Sequence, residues 1–189
     1  MTSGKRIPSS VPAKRSRVAA GSAQPAASLP EPLASRPRLP KNYGVRTNNK
    51  GLLPWSWAVE RLEKSKNYWV ASTRPDGRPH VMPVWGAWIA NSLWFGTGTS
   101  TRKARNLTAN PSVVVHLQSG DEAVILEGIV REVTDSSRLS PLDSAFKKKY
   151  GIGLSRQPGT VVYTVEPHAA FGWRERDFPV SATRWSFAA

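Results

Sequence analysis

The most concentrated chemistry in the chain lies in Gly96-Thr97-Gly98-Thr99-Ser100-Thr101-Arg102-Lys103-Ala104-Arg105. Thr99, Ser100 and Thr101 offer hydroxyls of the kind that cap a helix start, and residues 102–109 are good helix formers ended by Asn110-Pro111. A helix N-terminus already carries about half a positive charge and unpaired N–H groups. Arg102, Lys103 and Arg105 add cations to it, which is unfavourable unless an anion is held there. A bound phosphate would satisfy the cap donors, the hydroxyls and the cations together. A solvated basic helix whose charges merely repel one another is the competing reading.

Other arrangements that carry chemistry are missing. Residues 96–101 approach the dinucleotide fingerprint, but the third glycine is absent and the preceding elements read as hairpins rather than a βαβ unit. There is no Walker A lysine motif, no Gly-x-Ser-x-Gly elbow and no His-Glu-x-x-His. His80, His116 and His168 are isolated in sequence, so no metal site is expected. The acidic residues show no pairing suited to general acid–base work. Lys147-Lys148-Lys149 reads as a solvated helix end.

The elements that must position the basic stretch follow from pattern. Pro54 fits the first position of a helix in which Trp55, Ala58, Val59 and Leu62 recur at helical spacing. Residues 68–73 are β-rich and Pro75-Asp76-Gly77 is a turn, so a hairpin is predicted with residues 80–88 as its second arm. Pro83 inside that arm cannot donate to a ladder and marks an edge, a bulge or a place where a ligand lies against the strand. Residues 89–91 turn the chain into a strand at 93–96, ahead of the helix at 102–109. Further strands are predicted at 112–117, at 123–133 with Gly128 as a bulge, at 160–165, at 169–174 and at 182–187, with a helical excursion from 135 to 150. Short, mostly antiparallel connections make this an α+β chain, a predominantly antiparallel β-barrel with flanking helices.

The formal net charge of +14 is unevenly spread, because residues 1–50 hold ten Lys/Arg against the single Glu31. The high charge therefore belongs largely to a Pro-, Ala- and Ser-rich tail, read as disordered over residues 1–45. A solvated extension, an overlong start and an electrostatic or targeting arm remain open for it. Nucleic acid is expected, if at all, only at this tail. With no cysteine, neither disulfides nor thiolate metal sites are available. No window approaches the roughly 20 apolar residues of a membrane span, and a cytoplasmic protein is expected.

Residues 68–80, Pro83-Val84-Trp85-Gly86, Ser100-Thr101-Arg102-Lys103-Ala104-Arg105-Asn106-Leu107 and Asn110-Pro111 together resemble the pyridoxamine 5′-phosphate oxidase-like split-barrel superfamily, in particular its flavin- and deazaflavin-dependent oxidoreductases. Asp177-Phe178, residues 182–185 and Phe187 resemble the C-terminus of that branch. The resemblance covers about residue 52 to the end and implies one split-barrel domain over 52–189. It implies that Ser100, Thr101, Arg102 and Lys103 hold a cofactor phosphate, with Arg105 beside them. Met82, Pro83, Val84 and Trp85 would run along a tricyclic ring bordered by Phe95, Gly96 and Thr97. Trp85, Trp88 and Trp173 are candidates for a substrate wall, each with core packing as the alternative. His80 is the candidate proton donor or a strand cap.

The cofactor implied is FMN or coenzyme F420, the latter favoured by the branch. Arg78, Arg105 or Arg156 could meet the acidic tail of F420. The expected activity is hydride transfer between that cofactor and a small organic substrate, in a homodimer with cofactor at the subunit interface. The alternative is a non-catalytic flavin- or haem-binding storage module of the same fold. A C-terminal segment for pyridoxamine phosphate has no counterpart, so true pyridoxamine phosphate oxidase activity is not expected.

Overall fold

Along β2 (Asn67–Thr73), buried Tyr68, Val70 and Ser72 alternate with half-buried Trp69, Ala71 and Thr73, the period of two that a strand with one face on a core requires. The turn after it carries Gly77 at φ 81° and leads into β3 (Pro79–Ile89). Ala90 and Asn91, both at positive φ, form the tight connection to β4 (Ser92–Gly98), and such a pair matches the right-handed twist of the strands it joins. The structure, a computed structural model, describes residues 31–154 and 158–188.

The remaining strands are β1 (Leu33–Ser35), β5 (Ser112–His116), β6 (Glu122–Glu132), β7 (Thr160–Arg174) and β8 (Thr183–Ser186). They run in the order β1-β8-β7-β4-β3-β2-β5-β6, and β7 pairs again with β6. Strands β2 to β7 thus close an antiparallel six-stranded barrel, and β8 and β1 extend it from one end of β7. Gly128 is the bulge the sequence predicts, since the β6–β7 register shifts at Glu127/Gly128. A Cβ there would lie 2.5 Å from the Glu166 carbonyl oxygen, so only glycine allows the close approach.

Helix α1 (Trp55–Lys64) buries Trp55, Ala58 and Leu62, with Pro54 standing as its N-cap rather than its first helical residue. Trp55 meets Trp88, Trp185 and Phe187 edge-on at 5.1 to 6.1 Å, closing one end of the core. Helix α2 (Arg102–Ala109) has the predicted bounds. Helix α3 (Leu139–Tyr150) ends at Gly151 in the left-handed region and buries Leu142 and Phe146 against Ala87, Trp94 and Val162 on the outside of the barrel. A short α4 (Phe178–Ser181) precedes β8. No helix among the described residues is long and apolar enough to cross a membrane.

Two expectations are corrected. The strands predicted at 160–165 and 169–174 are one continuous strand, β7; Pro167 is accommodated next to the Gly128 bulge, where the ladder is already irregular. Residues 31–45, expected within the disordered tail, are built into the fold, while residues 1–30 lie outside the described residues. The cause is Arg36. Its guanidinium donates to the carbonyls of Asn48, Lys50, Val180 and Ala182 at 2.7 to 2.9 Å, and Leu33, Ala34 and Ser35 pair with β8. Arginine in a Pro-rich stretch reads as a solvated charge until its carbonyl partners are known.

Pairing also explains Pro83. Residues 79–85 of β3 pair with β2, but β3 pairs with β4 only from Gly86 to Ile89. Beyond Phe95, β4 pairs with β7 alone. The strands diverge there, leaving residues 79–85 with an open edge on which a missing N–H costs no ladder bond. The N-terminus of α2 follows directly from the open end of β4.

Candidate functional site

Thr101 caps α2, its Oγ1 accepting from the Ala104 N–H at 3.2 Å and donating to the Gly98 carbonyl at 2.8 Å. This fixes which side chains of the basic run turn inward. Arg102 is exposed, whereas Lys103 is only 7% exposed. The Lys103 ammonium lies 5.8 Å from the Phe95 ring centroid and has no carboxylate partner among the described residues. Burial pulls it down to about 8, as expected for a cation removed from water without compensation. Arg105 folds back to donate to the Ser100 carbonyl at 2.8 Å.

One turn on from Lys103, Asn106 is buried and donates through Nδ2 to Ser72 Oγ at 3.1 Å. Ser72 stands opposite His80 in the β2–β3 ladder. Burial first, then the charges of Arg74, Lys103 and Arg102, hold the His80 imidazole below its ordinary value. The strand pair and the helix start therefore bring their cations and polar groups into one cluster. His80 Nδ1, Arg74 Nε and Asn106 Oδ1 are all buried without a hydrogen-bond partner among the described residues. Such orphans are costly unless a ligand or ordered water meets them.

A phosphate suits this donor set. Lys103 and Arg74 supply charge, and a neutral imidazole supplies an N–H. Asn106 Oδ1 is an acceptor and needs a donor that phosphate oxygens lack, so a hydroxyl close to the phosphate fits better than phosphate alone.

At the other end of the open edge, Trp85 is 45% exposed and stacks on Tyr150 at 4.7 Å with the rings 6° from parallel. The Gly86 N–H donates to the Tyr150 hydroxyl at 2.9 Å, and that hydroxyl donates to the Lys66 carbonyl at 2.7 Å. Lys149 donates to Tyr68 Oη and the Gly86 carbonyl, both at 3.0 Å. The last turn of α3 is clamped onto β3 beside the exposed Trp85.

A family profile described as pyridoxamine 5′-phosphate oxidase matches residues 58–174, more than half of the chain. The chain belongs to the pyridoxamine 5′-phosphate oxidase family. Solved structures share its fold. A conserved hypothetical protein from Mycobacterium tuberculosis is 21% identical over 70% of this chain and 91% of its own, with a TM-score of 0.60. ChuZ from Campylobacter jejuni is 8% identical over 64% of this chain and 55% of its own, with a TM-score of 0.57. General Stress Protein 26 from Bacillus anthracis is 17% identical over 62% of this chain and 91% of its own, with a TM-score of 0.52. A comparison with curated proteins found no match.

Within this family fold, the residues singled out from sequence separate into groups. Thr101, Lys103 and His80 come together with Arg74 and Asn106, which sequence reasoning did not single out for the site. Met82 is 47% exposed and, with Pro83 and Trp85, lies on the open half of β3. Val84 and Phe95 turn into the core, at 7% and 0% exposure. Gly96 and Thr97 lie on the open end of β4, and a Cβ on Gly96 would collide with the Leu154 side chain at 2.6 Å. Ser100 is exposed and engages Arg105 through its carbonyl. Trp88 lies in the core against Trp55, and Trp173 packs edge-on against Phe178. Arg78 is paired with Asp76 at 2.6 Å; Arg156 lies outside the described residues. The missed partners had faint signals: Arg74 lies in the turn that sets Ser72 opposite His80, and Asn106 is one helical turn from Lys103.

The titration of Lys103 gives a pH dependence. Binding of a phosphate monoester, dianionic throughout this range, is expected to weaken as pH rises through about 8 and to approach a roughly tenfold loss per pH unit above it, as the free site loses its ammonium proton. Calorimetric titrations from pH 7 to 9.5 measure this. An affinity unchanged to pH 9.5 contradicts a role for the Lys103 charge.

Proposed function

We propose that the chain binds a phosphate-bearing flavin or deazaflavin, FMN or coenzyme F420. Its phosphate lies against Lys103, Arg74 and His80, an adjoining hydroxyl donates to Asn106 Oδ1, and its ring runs along the open edge of β3 beside Met82, Pro83 and Trp85. The observation that carries this reading is the buried, uncompensated Lys103 set among partnerless His80 Nδ1, Arg74 Nε and Asn106 Oδ1. When bound, such a cofactor supplies hydride chemistry of its own. The chain's residues hold the phosphate, orient the ring and keep water from one side of it. His80, kept toward its neutral form by burial first and then by its cationic neighbours, serves hydrogen bonding to the phosphate rather than proton donation.

Binding, as in a storage or carrier module, is the primary reading. Turnover is the second, favoured by the clamped Trp85–Tyr150 pair, which offers an aromatic wall next to the ring for a small planar substrate. Titrating the apo-protein with FMN, F420 and haem separates the cofactors by fluorescence and absorbance. Saturable binding of neither FMN nor F420 contradicts the proposal, and tight binding of haem alone replaces it with haem storage. Anaerobic reduction of the bound cofactor followed by a panel of acceptors then distinguishes storage from turnover: oxidation above the background rate supports an enzyme.

A homodimer is supported by the outer sheet face. Val81, Ala71 and Val114 stand in one cross-strand row, with Val81 and Val114 46% and 37% exposed. Sedimentation is expected to show a dimer at micromolar concentration that Val81→Lys converts to monomer. A wild-type monomer under those conditions contradicts it.

A further inference from the structure

A second basic cavity lies on the sheet extension, away from the α2 site. It has a volume of about 590 Å³ and is lined by Ser35, Arg36, Arg38, Phe171 and Arg184. Ser35, Arg184 and Phe171 form one cross-strand row over β1, β8 and β7, so their side chains share a face of the sheet. No carboxylate lines the cavity. Arg36, Arg38 and Arg184 take part in no ion pair among the described residues.

Each guanidinium is held differently. Arg36 is pinned by the carbonyls of Asn48, Lys50, Val180 and Ala182, which fix its position but carry no net negative charge. Arg46 lies near enough to push against it, adding to its burial in lowering its proton affinity. Arg184 donates to Ser186 Oγ and stands over the Phe171 ring at 6.0 Å, a contact that orients the plane of a guanidinium without neutralising it. Arg38 is exposed and has no ion-pair partner among the described residues. Like charges gathered around one concavity repel unless a counter-charge is taken up, and planar guanidiniums match carboxylate and phosphate oxygens in pairs.

We infer that this cavity is a binding site for a small polyanion bearing at least two phosphate or carboxylate groups, bridging Arg38 and Arg184 over the fixed charge of Arg36. Neither Arg38 nor Arg184 belongs to the cofactor site, so the inference stands apart from the function proposed above. Phe171 provides an apolar floor against which the carbon frame of such a ligand rests.

The test uses the full chain carrying Lys103→Met, which weakens anion binding at the α2 site, titrated calorimetrically with pyrophosphate and with citrate at constant ionic strength. Saturable one-to-one binding of at least one probe is expected, weakened at least tenfold by Arg38→Gln combined with Arg184→Gln. These side chains make no bond that holds the barrel together, so an unchanged melting temperature confirms an intact fold. Binding of pyrophosphate alone or citrate alone supports the site and fixes the group it prefers. No saturable binding of either probe overturns the inference, as does an affinity that the double substitution leaves unchanged. Salt-sensitive self-association abolished by the same substitutions also overturns it, because the cavity would then receive an acidic segment of a second copy.

Discussion

Lys103→Met is expected to weaken binding of FMN and of F420 by roughly ten- to a hundredfold. The estimate rests on a charge-assisted hydrogen bond worth about 1.5–3 kcal/mol, at 1.4 kcal/mol per decade of affinity. Methionine keeps the length and the apolar stem, so the loss reports charge rather than packing. Arg102→Ala is expected to cost less than about fivefold, since Arg102 is exposed and solvent screens its contribution. The apo-protein should respond in the opposite direction. Lys103 has a folded value of about 8 against 10.5 ordinarily, so between those pH values the unfolded chain binds more protons than the folded one. Stability from this group therefore rises with pH across that window and is lowest below pH 8. Lys103→Met should raise the melting temperature at pH 7 and remove this rise. A variant that binds both cofactors as tightly as wild type contradicts the phosphate clamp.

Trp185→Ala is expected to produce the largest loss of stability. Trp185 is 0% exposed and meets Trp55 edge-on at 5.3 Å. It fills space left by Gly172, where a Cβ would come within 2.8 Å of its ring. Truncating a buried tryptophan leaves a cavity that such a rigid surround cannot close, at a cost of about 3–5 kcal/mol. For a chain of this length the melting temperature should fall by roughly 6–20 °C. The same side chain ties β8, and through it β1, to the barrel end, so proteolysis within residues 31–50 should accelerate as well. The α2 site draws on β2, β3 and β4, so FMN affinity measured well below the new melting temperature should stay within about twofold. A loss of under 1 kcal/mol would mean that Trp185 does not hold the extension.

Much of this organisation was legible because it is local. The bounds of α2, the turn at Gly77, the bulge at Gly128 and the stripe of α1 are all written in spacing and residue type. Pro83 pointed to an open edge, although only the register shows that β3 separates from β4 at Gly86. Of the candidate site, the sequence marks only the helix half. That Lys103 rather than Arg102 turns inward depends on the Thr101 cap and the rotation of α2 against Phe95, which no residue count supplies. The roles proposed for Arg74 and Asn106 depend on a strand pair meeting a helix across the fold. Val84, Phe95 and Trp88 illustrate the same limit: a motif names neighbours along the chain, while strand alternation sends every second side chain into the core. Order in residues 31–45 was hidden because it comes from one arginine reaching carbonyls of residues far along the chain.

On the proposed function, the cationic cluster at the start of α2 recognises phosphate on a cofactor whose ring lies along β3. Equilibrium titration of the apo-protein with FMN and with riboflavin, which share the ring and differ in the phosphate, tests it directly. Wild type is expected to prefer FMN by roughly tenfold or more, and Lys103→Met to lose most of that preference. The deazaflavin chromophore stripped of its phosphate arm should fall behind F420 in the same way. Equal affinity of the wild-type protein for the phosphorylated and unphosphorylated forms of both cofactors would contradict the account.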